Sequence, residues 1–371
     1  MKLKRTLETL QVGRAFAALC IVLFHVNETL ALHKYLGREI FGLFSSGSFG
    51  RPFFFVLSGF VVFMAHEREI GRPESVVPFF WKRIRRIYPP LFVVLLLFVP
   101  VYFLVPSFRH GNETGLKTIV SAFLILPAQD DSIQDDNILA AEWTLRHEVL
   151  FYAIFALVLW RPRIGAVVAA IWLLFSAVVP ICQLGYPFNF YFSGYHILFG
   201  MGVLASLAYA RGRHQWPIAM ILLGATILAL TCYANLHGQE HDYRAEWAYG
   251  LGSTFLILGA ANLEKVRGIR LPRILTFLGE ASYSICLVNF PAVSVAAKLI
   301  VKINGKLPDA VLFLITVAIG VSVGIVFHIF VEKRVINWVR QLDALRSRRA
   351  EAAPFRGNGA EIREGTDTAT S

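Results

Sequence analysis

The stretch that decides the fold class is residues 164–183, which read IGAVVAAIWLLFSAVVPICQ and contain no charged side chain. A run of about 20 apolar residues is long enough to cross the hydrocarbon core of a bilayer as an α-helix. Similar runs recur along nearly the whole chain of 371 residues, of which 56% are hydrophobic and only 16% charged. A soluble domain would carry about a quarter charged residues, so the composition predicts a polytopic membrane protein and excludes an ordinary cytosolic one.

The apolar runs predict an all-α transmembrane bundle of about ten helices. The predicted spans are 13–32, 47–65, 88–106, 143–160, 164–183, 190–210, 217–236, 246–263, 276–300 and 309–332. The apolar stretch 116–127 is too short to span, so we expect it to lie at the interface or to re-enter. No internal repeat or appended soluble domain is evident. We therefore predict one transmembrane domain over residues 1–337, which contains the activity, and a basic, partly disordered tail over 338–371.

The formal net charge of +11 follows the topology of these spans. Most lysines and arginines fall in the two terminal segments and in the loops that the ten spans place on the same side of the membrane. By the positive-inside rule this side is the cytoplasm, so both termini are predicted to be cytoplasmic. Asp130, Asp131, Asp135 and Asp136 cluster in the largest loop on the opposite side. Because the positive charge is distributed in this way, it indicates contact with the lipid bilayer and no nucleic acid partner.

The first predicted span carries two ionisable residues, Arg14 and His25. Eleven residues apart on a helix, they differ by about 20° in direction and by about 16 Å along the axis. They therefore share a face without touching. Ionisable groups inside a membrane are costly and are functional candidates by default. The alternative is that Arg14 extends to lipid headgroups and that His25 is a hydrogen-bonded packing residue.

A basic stretch, WKRIRRIYPP, occupies residues 81–90. Arg83 and Arg86 are three residues apart, so on a helix they share a face and can hold an anion as a pair. The density of positive charge and the flanking Trp81 and Tyr88 favour a phosphate site. The alternative is an ordinary positive-inside signal.

The fourth predicted span opens with WTLRHE, residues 143–148, and continues to Tyr152. Glu148 and Tyr152 are i, i+4 neighbours, and a carboxylate inside the membrane needs a partner. Arg146, His147 or His25 is expected to provide it. At the end of the last span, Glu332 is a further candidate, with an interfacial ion pair as the alternative.

Six segments of this chain resemble, in order and at consistent spacing, the signatures of the integral-membrane acyltransferase-3 family, which adds acyl groups to surface sugars. They are 10–25 (LQVGRAFAALCIVLFH), 53–60 (FFFVLSGF), 83–86 (RIRR), 143–148 (WTLRHE), 278–285 (LGEASYSI) and 331–334 (VEKR). The form of the fourth segment is most similar to the branch that acts in exopolysaccharide production. The resemblance implies a multi-pass protein of the bacterial inner membrane that acts as an O-acyltransferase.

The resemblance implies a cytoplasmic acyl-CoA donor, most often acetyl-CoA, as a co-substrate. We expect neither a bound cofactor nor a metal. Arg14, Arg83 and Arg86 are the expected ligands of the donor's phosphates. The acyl acceptor is expected to be a hydroxyl of a cell-surface or lipid-linked saccharide.

The expected catalytic residues are His25 and Glu148. His25 acts as general base on the acceptor hydroxyl or accepts the acyl group itself, and the sequence leaves both routes open. Glu148 orients His25 or binds the acceptor. Trp143, Tyr152 and Glu332 are the candidate substrate-binding residues, and Tyr152 is also expected to assist Glu148.

Two positions depart from the family pattern, and several alternatives stay open. Asn289 stands where a histidine-proline ending is usual, so a proton-transfer role there is in doubt, and Arg51 precedes the second signature where apolar or acidic residues are common.

A transporter or flippase without covalent chemistry is the competing class. Within the enzyme class, the alternative donors are succinyl-CoA or a longer acyl-CoA, and the alternative acceptors are a lipid or a glucan.

Overall fold

The computed structural model describes residues 7–106, 114–127, 137–212, 216–237, 243–303 and 307–352, with backbone only for 46–48, 301–303 and 346–352. The described chain is helical and contains no β-strand, so the predicted all-α class is confirmed. The helices are α1 Glu8–Ala31, α2 Gly50–His66, α3 Val76–Leu104, α4 Leu116–Leu124, α5 Glu142–Trp160, α6 Pro162–Cys182, α7 Phe188–Tyr191, α8 His196–Arg211, α9 Pro217–Leu236, α10 Tyr243–Arg267, α11 Arg273–Ile303, α12 Asp309–Phe327 and α13 Lys333–Ala352.

Nine helical segments within the described ranges are long and apolar enough to cross a membrane, and they correspond to nine of the ten predicted spans. The tenth, 246–263, forms helix α10 but does not reach this apolarity. The reason is its composition, because glycines and polar residues occupy the positions at which α10 packs against its neighbours. Among these, Gly250, Gly252, Ser253 and Asn262 are buried. The short stretch predicted not to span forms α4.

Four predicted features either fall outside the described residues or differ in extent from the structure. The aspartates of the loop at 130–136 and the tail from residue 353 fall outside the described ranges. Helix α3 begins at Val76, well before the predicted start at 88, so the basic stretch around Arg83 is helical and continues into the span. Likewise, the predicted domain boundary at 337 falls inside helix α13.

The buried apolar side chains form two clusters, and residues that belong to or pack against each of them line one cavity. The larger cluster joins α2, α3, α5 and α8, and it includes Phe60, Phe79, Leu91 and Phe199. The smaller cluster joins α1, α11 and α12 around Val22. The cleft between the two clusters is where the polar residues of α1, α2, α3, α5 and α11 meet.

Glycines allow the helices that border this cleft to approach closely. A Cβ added at Gly202 of α8 would lie 2.0 Å from the carbonyl oxygen of Val56 on α2, and one at Gly59 would lie 2.2 Å from that of Phe199. A Cβ at Gly279 of α11 would lie 2.0 Å from the carbonyl oxygen of Gln11 on α1. Membrane helices depend on such small residues for backbone-to-backbone packing.

Replacement of Gly202 by alanine is expected to destabilise the protein. The new methyl group would meet backbone, which cannot rotate away, so α2 and α8 must separate at a cost of about 1–3 kcal/mol. The measurement is the thermal unfolding midpoint of the detergent-purified protein. Gly185→Ala is the matched control, because a Cβ at Gly185 has nothing within 4 Å. Equal midpoints for the two variants would contradict the close packing.

Candidate active site

A cavity lies between helices α1, α2, α3, α5, α8 and α11, with an empty volume of about 970 Å³ that includes the space at its mouth. Five of the eight residues predicted as functional line it, although they come from three separate helices: Arg14, Arg83, Arg86, Glu148 and Tyr152. The other polar side chains of the lining are Arg51, Ser58, Thr144, Ser282 and Tyr283. The structure therefore brings most of the sequence candidates into one place.

The cavity is strongly cationic, because four arginines and one glutamate line it, which is a formal charge of +3. Arg14 lies close enough to Arg86, Glu148 and Glu332 for its charge to interact with theirs. An apolar membrane interior does not screen such charges, so the cavity attracts an anionic ligand.

Arg14 is held by α11. Its Nε donates to the hydroxyl oxygen of Ser282 at 3.1 Å. The close approach of the two helices at Gly279, one turn before Ser282, makes this contact possible. Arg14 therefore points into the protein, against the alternative that it extends to lipid headgroups.

Arg83 packs on two aromatic rings. The centre of its guanidinium lies 5.5 Å from the Phe79 ring and 5.3 Å from the Tyr152 ring. Its Nε is buried, and no hydrogen-bond partner for it exists among the described residues. Because buried polar groups are normally hydrogen-bonded, this donor is suited to an anionic ligand that enters the cavity.

Glu148 obtains its hydrogen bonds from residues other than those predicted. Ser58 of α2 donates to its Oε1 at 3.2 Å, and the Tyr152 hydroxyl donates to the same oxygen. Neither of these two donors is among the residues predicted as possible partners of Glu148, namely Arg146, His147 and His25. One and two residues before Glu148, His147 and Arg146 point about 100° and 200° away around the helix.

Arg146 and His147 instead make contacts within the bundle, away from the cavity lining. Arg146 pairs with Glu142 at 3.5 Å, and His147 Nδ1 lies 3.0 Å from His196 Nε2. All of these side chains are buried. Of the three ionisable residues in the WTLRHE segment, only Glu148 lines the cavity.

Three consecutive residues of α11 connect the cavity to three other helical segments, because successive side chains of a helix point about 100° apart. Ser282 contacts Arg14, and the Tyr283 hydroxyl donates to the carbonyl oxygen of Ile87 at 2.9 Å. Ser284 donates to Glu332 Oε2 at 2.5 Å.

Glu332 lies in a layer behind the cavity, and it is not part of the lining. It is the last residue of a π-helical turn, His328–Glu332, between α12 and α13, and His328 Nδ1 lies 2.6 Å from its Oε2. Such turns are often found at functional sites. Ser284, which donates to Glu332, lies two residues after Ser282, which accepts from Arg14, so Glu332 and Arg14 are hydrogen-bonded to the same helix, α11.

His25 and Trp143 also lie outside the lining. Ile21, one helical turn before His25, lines the cavity, so His25 is one turn beyond its end. Its ring meets Phe290 edge-on at 5.5 Å, and it makes no hydrogen bond with any residue of the described ranges. Trp143 is buried against Phe55 and Tyr195.

Several cavity residues were not predicted individually, namely Arg51, Ser58, Ser282, Tyr283 and Cys286. Ser58, Ser282 and Tyr283 belong to segments that carry the family resemblance, so their membership in those segments was the available signal. Neither residue type nor spacing distinguishes a cavity serine from a packed one. Arg51 was visible as a departure from the family pattern.

Replacement of Tyr152 by phenylalanine is expected to lower, by about tenfold, the acyl transfer that the family resemblance implies, without unfolding the protein. The change removes one hydrogen bond to a carboxylate, worth about 1.5–3 kcal/mol, while it retains the ring on which Arg83 packs. Transfer is measured in membranes at matched expression. Tyr209→Phe on α8 is the control, because the Tyr209 side chain does not line the cavity. Equal activity of the two variants would contradict a role for this hydrogen bond.

Comparison with known proteins agrees with the resemblance seen in the sequence. A family model described as an acyltransferase domain matches residues 7–328. The exopolysaccharide production protein ExoZ of Rhizobium meliloti (strain 1021) is 27% identical over 336 residues, which cover 85% of this chain and 95% of that protein. No solved structure matches the chain. The matched region contains the whole cavity lining.

Proposed function

Since the chain belongs to the acyltransferase-3 family, we propose that it transfers an acyl group, with acetyl as the first candidate, from cytoplasmic acyl-CoA to a hydroxyl of a cell-surface or lipid-linked saccharide. The similarity to an exopolysaccharide production protein supports the saccharide acceptor. The observation that carries the proposal is the cavity within the membrane bundle that Arg14, Arg83, Arg86 and Glu148 line together.

The donor fits the charge of this cavity. Coenzyme A carries several phosphate charges, and arginine is the side chain best suited to hold phosphate by paired hydrogen bonds. Arg83 and Arg86 present their guanidinium groups from one face of α3, and Arg14 faces them from α1. The pantetheine arm would then extend along α1, from Arg14 past Ile21 to His25, over about 16 Å.

The orientation that we propose places both termini in the cytoplasm. Helix α10 packs against α9, from Gly259 beside Pro217 to Gly252 beside Gly224, and Asn235 near the end of α9 donates to the Tyr249 hydroxyl at 3.0 Å. Helix α10 thus accompanies a candidate span along most of its length and acts as the tenth crossing. An even number of crossings, together with the positive-inside rule, puts Arg14 and Arg83 on the side where acyl-CoA is made.

In the proposed reaction the acceptor hydroxyl oxygen attacks the thioester carbon while His25 takes the hydroxyl proton. The tetrahedral intermediate then expels the thiolate of coenzyme A, which receives the proton from His25. In the second route, a His25 nitrogen attacks the thioester carbon first and expels the thiolate of coenzyme A, which takes up the ring proton. The acceptor hydroxyl then attacks the acyl carbon, the bond to the His25 nitrogen breaks, and the imidazole takes up the hydroxyl proton. Glu148, which accepts hydrogen bonds from Ser58 and Tyr152, lines the same cavity and orients the acceptor.

The test is acyl transfer in isolated membranes that contain the full-length protein. Labelled acetyl-CoA is supplied, and label is followed into extracted glycolipid and polysaccharide. Label that depends on the protein is the expected result. If a panel of acyl-CoA donors gave neither label nor free thiol, the proposal would be wrong, and transport without covalent chemistry would become the better explanation. Label retained on the protein without acceptor distinguishes the acyl-histidine route.

A further inference from the structure

We infer that Arg51 stabilises the negative charge that develops on the thioester carbonyl oxygen during transfer. This inference rests on the proposed function and deepens it, because it assigns an oxyanion-stabilising group that the cluster of donor-binding arginines does not provide. Arg51 lines the same cavity as that cluster but belongs to the first turn of α2.

Arg51 lies toward the opposite end of the cavity from the donor-binding arginines. On α2, Arg51 precedes Ser58, the hydrogen-bond donor to Glu148, by seven residues, which is a rise of about 10 Å. On α1, Ile21 follows Arg14 by the same number of residues and also lines the cavity, and the Phe24 ring, three residues further on, lies 5.9 Å from the centre of the Arg51 guanidinium. The charges of Arg51 and His25 are close enough to interact. Arg51 is therefore placed where the acyl group arrives, if the phosphates are held at Arg83 and Arg86.

The guanidinium of Arg51 is held in a fixed position. Its Nη2 lies 3.2 Å from Glu246 Oε1, in an ion pair whose side chains are 13% and 3% exposed. Its centre is 5.5 Å from the Trp143 ring and 5.9 Å from the Phe24 ring. An ion pair and two aromatic faces fix both the charge and the direction of the group. Trp143, predicted as a substrate-binding residue, therefore supports Arg51.

A fixed cation is what this reaction requires at that position. When the hydroxyl oxygen bonds to the thioester carbon, the electron pair of the carbonyl bond moves to its oxygen, which becomes an oxyanion. It returns when the carbon–sulfur bond breaks and the thiolate takes the proton from His25. A preorganised donor in a site of low dielectric stabilises this oxyanion without reorganising, and removal of one such donor slows reactions about 100- to 1,000-fold.

The decisive measurement is the steady-state rate of acetyl transfer by Arg51→Gln and Arg51→Lys, with kcat and both KM values determined separately. We expect kcat of Arg51→Gln to fall about 100-fold, with KM for acetyl-CoA and for the acceptor changed less than about twofold. Arg51→Lys keeps a positive charge and is expected to recover part of the loss. Arg38→Gln, at an ion pair whose arginine is 65% exposed, is the matched control.

Because Arg51→Gln removes the cation of the ion pair with the buried Glu246, the double variant Arg51→Gln/Glu246→Gln provides a second test. It removes both charges, and unchanged binding of acetyl-CoA establishes that it is folded. A raised acceptor KM with kcat retained would overturn the inference, because Arg51 would then bind the acceptor. A wild-type protein that transfers no acyl group would overturn the proposed function itself, which separates the two failures.

Discussion

Replacement of His25 by alanine is expected to abolish acyl transfer while binding of acetyl-CoA is retained. A positioned general base contributes about 100- to 10,000-fold to the rate, and a covalent acyl carrier contributes the entire reaction. His25 is suited to either role, because no described residue hydrogen-bonds its ring and it lies one turn beyond the cavity-lining Ile21. The measurement is label transfer from acetyl-CoA together with donor binding to the purified protein.

The control for this variant is His33→Ala, because His33 is exposed just beyond the end of α1. Both variants are compared with wild type at equal expression. Unchanged transfer in His25→Ala would contradict both the general-base and the acyl-histidine routes. Loss of transfer together with loss of donor binding would indicate that His25 only supports the structure.

The second large effect is expected from the paired substitution Arg83→Gln/Arg86→Gln, which should raise the KM for acetyl-CoA about 100-fold or more. Hydrogen bonds between charged groups contribute about 1.5–3 kcal/mol each, and the two side chains share the phosphates of one donor. We expect a smaller effect on kcat, because the proposed binding mode places the phosphates at the Arg14 end of α1, about 16 Å along the helix from His25. Steady-state kinetics with acetyl-CoA as the varied substrate provides the measurement.

A matched pair of substitutions exists on the same protein. Arg161→Gln/Arg163→Gln removes two exposed arginines at the junction of α5 and α6, outside the cavity. It controls for the loss of positive charge and for the effect of charge on insertion. An equal KM in the two double variants would show that Arg83 and Arg86 do not bind the donor, and the basic stretch would then be explained by topology alone.

The cavity also bears on the competing interpretation of a transporter. A transport site must be reached alternately from both sides, usually between two structural repeats. Here the charged residues of the cavity come from four helices that show no internal repeat in the sequence, and they are held by an ion pair, aromatic faces and hydrogen bonds to neighbouring helices. Such preorganisation favours catalysis, in which fixed dipoles and charges are needed.

The sequence was sufficient for the all-α membrane fold, because hydrocarbon imposes a length and an apolarity that can be read directly from the chain. Nine predicted spans, the short α4 and the candidates Arg14, Arg83, Arg86, Glu148 and Tyr152 were identified in this way. The sequence was less informative for α10, whose glycines and polar residues face other helices and lower its apolarity. Site residues could be predicted only where they are ionisable and lie within a span, because the free-energy cost of such side chains in a membrane makes them functional candidates.

Contacts between helices were decided by the tertiary structure alone. Ser58 donates to Glu148, which is 90 residues away along the chain, and Arg14 donates to Ser282, which is 268 residues away. No local spacing encodes such pairs, because they depend on how α2 meets α5 and how α1 meets α11 at its glycine contact. The same holds for Arg51, which is an isolated charge in the sequence and becomes part of the cavity only when Glu246 and Trp143 fold around it. The bilayer requires long apolar segments, so the helices could be predicted from the sequence. The site consists of side chains that only helix packing brings together, so its contacts could not.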